Sequence, residues 1–553
     1  MVLLTKLPPE ILHNVLIHVD PPDLAWIPRV CRTFYHAISR NVPLFKQVYL
    51  QNFDTPPAGN EELDWERAIK DLVRLQVVCR RASVDDKNNE LPFVYDTVTS
   101  LLNNAAAVTH GDGDGDGDGG GDPATSSSSS TAIHTRSSRN AELLATVFAD
   151  PTNQAAFLCR SFIYQRARGE LKYRSFSSPP RPEHQQSAHL HCLYGVPRLY
   201  AQPASQHRTR ASKMSPFACS KVYDLRQYTQ RTRWGPFMDD GSGDDGSGSG
   251  LRVDWEKVEA IMIVLGANLR QLGLNKFPIC RNAWDVPFSG VWPHSYRPLS
   301  SASALSRAPE KPLALDLEDP YGVAGTWLRV VCFLDYTDFF AYNFSAENQP
   351  PPNVPRPAID AGEATRLILM KLWVTQVEAP GPDDGQDRPV VHFKGVSRSL
   401  DDSWDENANS DVRGSVRTTR EGEVRWTTFS VFAGQERWRS ESVQIGGAKS
   451  GKGVLGNWFD KDFDPRGPAG PTAFWKVSDR GHKNDKDRVA LDDFMPTIET
   501  ALHNDEDDDG DGDYEPPAGD AGENGDGNES ELGDGLVETE ISEIIFTNWT
   551  EEF

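Results

Sequence analysis

Apolar positions recur at helical spacing from the first residues of the chain. Leu7, Ile11, Leu12, Val15 and Val19 form one stripe, Leu24, Ile27 and Val30 a second, and Phe34, Tyr35 and Ile38 a third. Pro21-Pro22 after Asp20 breaks the first run from the second, and the pattern breaks again near Val30. Pro8 suits a first helical turn, where its missing N–H removes no intrahelical bond. The pattern predicts three short helices within residues 1–50. So small a segment cannot bury three apolar faces alone, and a partner is expected to complete its core.

Helical spacing continues over residues 60–170. Asp64-Trp65 opens a run to Ala82, Leu91 to Val108 reads likewise, and the period resumes from Asn140 past Cys159 to Tyr164. A Gly/Asp run followed by serines, residues 109–138, interrupts it and has no capacity to form a core. Residues 171–250 read as irregular, ending in a disordered Gly/Ser/Asp linker at 239–250. Trp255 to Leu272 is the clearest helix, with Asp254 placed to cap it.

The period then changes from helix to strand. Trp327–Leu334, Phe339–Phe344, Leu367–Val377, Val390–Val396, Val412–Thr419, Val424–Phe432, Arg437–Ile445 and Ala473–Val477 read as strands between Gly, Pro, Asn and Asp clusters. Residues 251–480 are therefore expected to form one helix plus an antiparallel barrel or sandwich. The whole chain reads as an α+β multidomain protein, closed by a disordered acidic tail at 503–536 and a short apolar segment at 537–553.

Residue types in register sharpen this picture. Leu7-Pro8-Pro9-Glu10-Ile11-Leu12, then Asp23-Leu24, then Val30-Cys31-Arg32-Thr33-Phe34-Tyr35 resemble the F-box over residues 4–45. Trp26 departs from that pattern, where a smaller residue is commoner. The resemblance implies docking on the Skp adaptor of a cullin–RING ubiquitin ligase, with the rest of the chain selecting a protein substrate. The implied adaptor face is Leu7, Pro8, Ile11, Leu12, Val15, Leu24, Val30, Cys31, Phe34 and Ile38. From Trp255 onward the chain also looks like a group of fungal F-box proteins, on runs such as Asp319-Pro320-Tyr321-Gly322-Val323, Glu436-Arg437-Trp438-Arg439-Ser440-Glu441 and Trp458-Phe459-Asp460-Lys461-Asp462.

Gly322-Val323-Ala324-Gly325-Thr326-Trp327 and Gly453-Val454-Leu455-Gly456-Asn457-Trp458 share the pattern G-V-x-G-x-W. A Gly-x-Trp entering a first strand resembles lipocalin-like (calycin) barrels, where the indole plugs one end. Arg329 lies on the same strand face as Trp327, and Arg437 is another cation for an indole. Trp327, Arg329, Trp426, Arg437, Trp438, Arg439 and Trp458 are the candidates for substrate contact, being residue types enriched at binding hot spots.

Charge and cysteines narrow the class. The 553 residues carry 81 Asp and Glu against 57 Lys and Arg, but 19 of the acids lie in residues 504–553, which hold no Lys or Arg. The remaining 62 acids nearly balance the 57 bases, so no electrostatic footprint for nucleic acid is expected. The seven cysteines are scattered without a C-x-x-C pair, as for reduced thiols in cytoplasm or nucleus. No stretch is apolar enough for a signal peptide or membrane span.

Candidate chemistry is thin. Gly446 to Lys452 matches G-x-x-x-x-G-K, but Gly453 stands where Ser or Thr would hold magnesium. Asp507-x-Asp509-x-Asp511-Gly512 imitates a calcium loop, but Ala518 stands at its twelfth position. His184, His189, His191 and Cys192 crowd together, with His189 and His191 sharing a face if the segment is a strand, but no second pair completes a zinc set. No catalytic residue, metal or cofactor is expected. The leading expectation is a non-catalytic substrate receptor of an SCF-type ligase. The alternatives are a non-degradative F-box scaffold and a small-ligand carrier with a calycin-like cavity lined by Trp327 or Trp458.

Overall fold

The computed structural model describes residues 7–57, 63–106, 138–169, 181–195, 214–239, 251–271, 284, 286–297, 314–345, 349–351, 354–400 and 409–479. At the N-terminus, α1 (Pro9–Leu16) and α2 (Pro21–Trp26) each begin on proline, whose fixed φ suits a first turn. A short 3-10 turn, Ile27–Arg29, leads to α3 (Arg32–Ile38). A fourth helix, α4 (Val42–Asn52), adds to the three expected. Asn41 caps it by accepting a hydrogen bond from the Leu44 N–H at 3.2 Å.

The helices Trp65–Cys79 and Leu91–Asn103 follow the expected runs. The run from Asn140 divides into Arg139–Val147, Pro151–Phe157 and Phe162–Ala167, with Asp150 and Pro151 restarting the second. A helix over Pro182–Tyr194 stands within the segment expected to be irregular. Trp255–Gln271 is helical, and the Asp254 carboxylate accepts from the Lys257 N–H at 3.2 Å, as its capping role requires. This helix packs between Pro182–Tyr194 and the barrel, and every side chain from Val258 to Leu265 is buried. Among the described residues, no helix is long and apolar enough to cross a membrane.

A two-stranded ribbon, β1 (Phe237–Asp239) and β2 (Leu251–Val253), precedes the barrel. Eight strands then close on themselves: β3 (Gly325–Leu334), β4 (Glu363–Glu378), β5 (Val390–Ser399), β6 (Asn409–Thr418), β7 (Val424–Phe432), β8 (Gln435–Gln444), β9 (Val454–Asp460) and β10 (Ala469–Ser478). Each pairs antiparallel with its neighbour in sequence, and β10 pairs with β3, so the fold is a closed up-and-down barrel and not a sandwich.

Two strand assignments differ from the sequence pattern. Phe339–Phe344 belongs to a helix, Tyr336–Phe344, because Asp335 caps the N–H of Thr337 at 2.8 Å and starts a turn there. Val454–Asp460 is a strand although it carries two short-side-chain breaks in its alternation. Gly456 sits where an added Cβ would lie 2.1 Å from the Glu441 carbonyl oxygen, so close strand approach dictates the glycine.

The barrel is apolar on both sides of its wall over part of its circumference. Outward Leu328, Val330, Cys332, Leu334, Leu455, Ala473 and Trp475 join one continuous buried cluster. It runs through the helices back to Leu12, Leu16, Leu24 and Ile38. A separate cluster fills one half of the barrel interior.

Candidate functional site

Two features stand out: an apolar surface on the N-terminal helices and a cavity in the barrel. Among the described residues, six of the thirteen exposed large apolar ones lie within the first 42 positions: Ile11, Val15, Trp26, Val30, Tyr35 and Val42, at 43% to 72% exposure. Scattered exposed apolar residues are ordinary; this concentration on one small helical unit is not. Arg29 stacks its guanidinium 4.4 Å from the Trp26 ring centroid, which holds the indole at the surface.

The expected adaptor face divides in the structure. Pro8, Ile11, Val15 and Val30 are exposed, and Leu7, Cys31 and Phe34 are half-buried. Leu12, Leu24 and Ile38 are buried in the chain's own core and are not available to a partner. The reason is α4 and the helix Trp65–Cys79, whose Leu44, Val48, Ile69 and Leu72 seal that side. Trp26, Tyr35 and Val42 take the vacated share of the surface. Trp26 was visible in the sequence as a departure and Tyr35 as part of the third apolar stripe, though neither was placed on the adaptor face; nothing in the pattern marked Val42.

The barrel interior has two unlike halves. In the first, Trp327, Phe393, Trp426 and Phe474 pack with ring centroids 5.1 to 5.7 Å apart. Met370, Leu372, Val391, Val412 and Val454 fill the space around them. The Trp327 indole donates to the Val323 carbonyl at 2.9 Å, and the Trp426 indole to Gln444 Oε1 at 3.2 Å. These two tryptophans are plug, not binding surface, and the expectation that they contact substrate is corrected.

In the second half the interior opens as a cavity of about 300 Å³. Arg329, Arg437, Trp438 and Trp458 of the expected set meet there. Trp438 and Trp458 stand edge to face at 5.3 Å, and the Trp458 indole donates to the Cys332 carbonyl at 3.0 Å. Arg437 lies over Trp438, 5.3 Å from its ring centroid. Arg439 is not in the cavity. It points outward, bound to Glu441 at 2.5 Å and set over Phe429 and Phe463.

The remaining walls come from residues without a sequence signal. Val331, Phe333 and Ile368 are apolar; Arg366 adds a third guanidinium; Ser397, Ser399, Ser410 and Ser430 add hydroxyls. The Ser397 and Ser410 hydroxyls bond each other at 2.7 Å, whereas Ser399 Oγ is shielded from solvent and has no partner. The two tryptophans of the repeated G-V-x-G-x-W pattern thus mark opposite halves. Trp458 pairs with Gly470 and Trp327 with Lys476, six residues apart along β10, or ~20 Å.

The motif candidates have other uses. The 446–452 segment is the β8–β9 turn: Ala448 joins the plug, and Lys452 is buried with its carbonyl accepting from the Trp475 indole at 3.0 Å. No helix follows it to hold phosphates. The histidines lie on the helix Pro182–Tyr194, not a strand, so His189 and His191 point to different faces. His189 stacks on Trp255 at 3.5 Å and meets the Tyr95 hydroxyl at 2.9 Å, while His191 Nδ1 meets Glu259 at 2.7 Å. Burial pushes His189 down to about 3. No group of three or more His, Cys, Asp or Glu among the described residues is placed to hold a metal. The calcium-loop imitation and the apolar run from Ile541 to Trp549 lie outside the described residues.

Residues 4–51 match the family model of the F-box-like domain. No curated protein and no solved structure matches the chain, so the family relationship rests on those residues. The chain carries an F-box-like domain followed by a C-terminal eight-stranded β-barrel.

Proposed function

We propose that this F-box-like chain is the substrate-recognition subunit of an SCF-type cullin–RING ubiquitin ligase. Its F-box-like domain docks the Skp adaptor, and its barrel holds a protein substrate. The chemistry of ubiquitin transfer belongs to other subunits, and this chain contributes proximity. We keep the domain division of the sequence reading as part of this proposal: an F-box over residues 1–50, a helical region over 60–170 interrupted at 109–138, a connecting segment over 171–250, and a recognition domain over 251–480.

One observation carries the reading: Ile11, Val15, Trp26, Val30, Tyr35 and Val42 are exposed on the domain that matches the F-box-like family. Burying such a surface favours association at roughly 25 cal/mol per Å² before the costs of binding. Ile11, Val15 and Val30, with Pro8 beside them and Leu7, Cys31 and Phe34 at the edge, are the contacts we assign to the adaptor. Leu12, Leu24 and Ile38 support them from beneath.

The test is size-exclusion chromatography of the full chain with the Skp adaptor at micromolar concentration. The wild-type chain co-elutes. Val30→Asp, which places a charge on the surface without touching the core, abolishes co-elution and leaves the melting temperature unchanged. Failure of the wild-type chain to co-elute overturns the proposal. Ubiquitination of a captured protein in the reconstituted ligase then separates a degradative receptor from a scaffold.

A further inference from the structure

Among the described residues the barrel cavity is charged in one sense only. Arg329, Arg366 and Arg437 line it, and no described Asp or Glu does. Arg329 is the deepest of them, 5% exposed, at the level where the apolar plug gives way to open space. Its Nε donates to Thr472 Oγ1 at 3.0 Å, and that hydroxyl in turn donates to the Val330 carbonyl at 2.9 Å. The two terminal nitrogens of Arg329 have no hydrogen-bond partner among the described residues, and no salt bridge reaches them.

A buried guanidinium without a counter-charge is costly, and proteins pair such groups or use them. Burial lowers Arg329 to about 10, so it keeps its charge at neutral pH. Ser399, which also lines the cavity, adds a second polar group without a partner, its hydroxyl enclosed at the wall. Ile368 sits between Arg329 and Ser399 as the cross-strand neighbour of both, and Phe333, Trp438 and Trp458 add further apolar wall to the cavity. A concave site with apolar walls and a few convergent polar groups is the usual form of a ligand pocket.

We propose that the cavity binds an organic anion: an oxyanion group, held by Arg329 and the serine hydroxyls, on an apolar body packed against Trp438 and Trp458. The planar fork of Arg329 suits a carboxylate or phosphate accepting two hydrogen bonds. The ligand is either a free organic acid or an acidic side chain beside an aromatic one on a protein. The inference rests on reading the barrel as the recognition module but not on adaptor docking, so the two fail in separate experiments.

Calorimetry on the full chain tests it, with 4-phenylbutanoate as the probe and 4-phenylbutan-1-ol as its neutral counterpart. The acid binds the wild-type chain at least about tenfold more tightly than the alcohol, the margin expected of a charge-assisted hydrogen bond. Arg329→Met removes that margin and leaves alcohol binding unchanged. If Arg329→Met does not fold, Arg437→Gln at the half-exposed mouth replaces it and narrows the margin. A blocked peptide with an internal glutamate beside phenylalanine distinguishes the source. Binding of that peptide assigns a protein segment, and binding of the free acid alone assigns a small molecule. Equal affinity for acid and alcohol, no binding of either acid-bearing probe at millimolar concentration, or a margin that survives the substitutions overturns the inference.

Discussion

The two halves of the barrel interior share one wall and one strand alternation, yet they are built for opposite ends. Around Trp327 and Trp426 the inward positions are mostly apolar, the rings interlock, and inward Gln444 accepts from the Trp426 indole. Around Trp458 the inward positions turn to arginine and serine, and space remains. The first half is where the barrel gets its stability; the second is where it gives some up. Binding sites are commonly under-stabilised relative to the scaffold that holds them, and on the proposed binding role this barrel divides the two tasks along its axis.

That contrast can be broken by substitution. Trp426→Ala removes the most enclosed ring of the plug and is expected to cost about 3–5 kcal/mol, read as a lower denaturant midpoint at unchanged slope. A cost below ~1 kcal/mol would show that the plug is not the stable half. Arg329→Met, at the boundary, is expected to run the other way. It replaces a desolvated charge by a side chain of similar reach, so stability stays level or rises by up to about 2 kcal/mol. A clear loss would mean that the guanidinium is structural.

The smallest effect is in pH. Asp319 lies at the plug end, where its carboxylate accepts from the Tyr321 and Val323 N–H groups at 2.8 and 2.5 Å. Burial outweighs those bonds and raises its pKa above the usual carboxylate value. Across the window between the two values the folded state holds more protons than the unfolded state. Stability contributed by Asp319 is therefore complete below the ordinary value of 3.8 and falls as pH rises through the raised one. Asp319→Asn is expected to flatten this slope, whatever its effect on the baseline, in denaturant melts taken between pH 3.5 and about 6.

The sequence disclosed these regions unequally, for physical reasons. The N-terminal helices were legible because their apolar positions and prolines obey local rules. Which side of α1–α3 stayed open was not, since that depended on α4 and on a helix beginning at Trp65. Seven of the eight barrel strands were legible; Val454–Asp460 was missed and one run read as a strand was a helix. Phe339-Phe340-Ala341-Tyr342 has β-prone residues, and only the Asp335 cap argues for a turn. The cavity was half legible. Arg329, Arg437, Trp438 and Trp458 could be chosen by residue type. Ser397, Ser399 and Arg366 could not, because alternation does not say which side of a strand is inside when both sides are covered.

The apolar cluster that begins at Leu12 and ends on the outer wall at Trp475 has a mechanical meaning. Because buried apolar contact is continuous along that path, the chain behaves as a bracket, not a tether. Whatever sits in the cavity stands at a set distance and bearing from whatever covers Val30. On the receptor function proposed above, reach toward a modifiable lysine is decided by the shape of the guest rather than by the swing of its host.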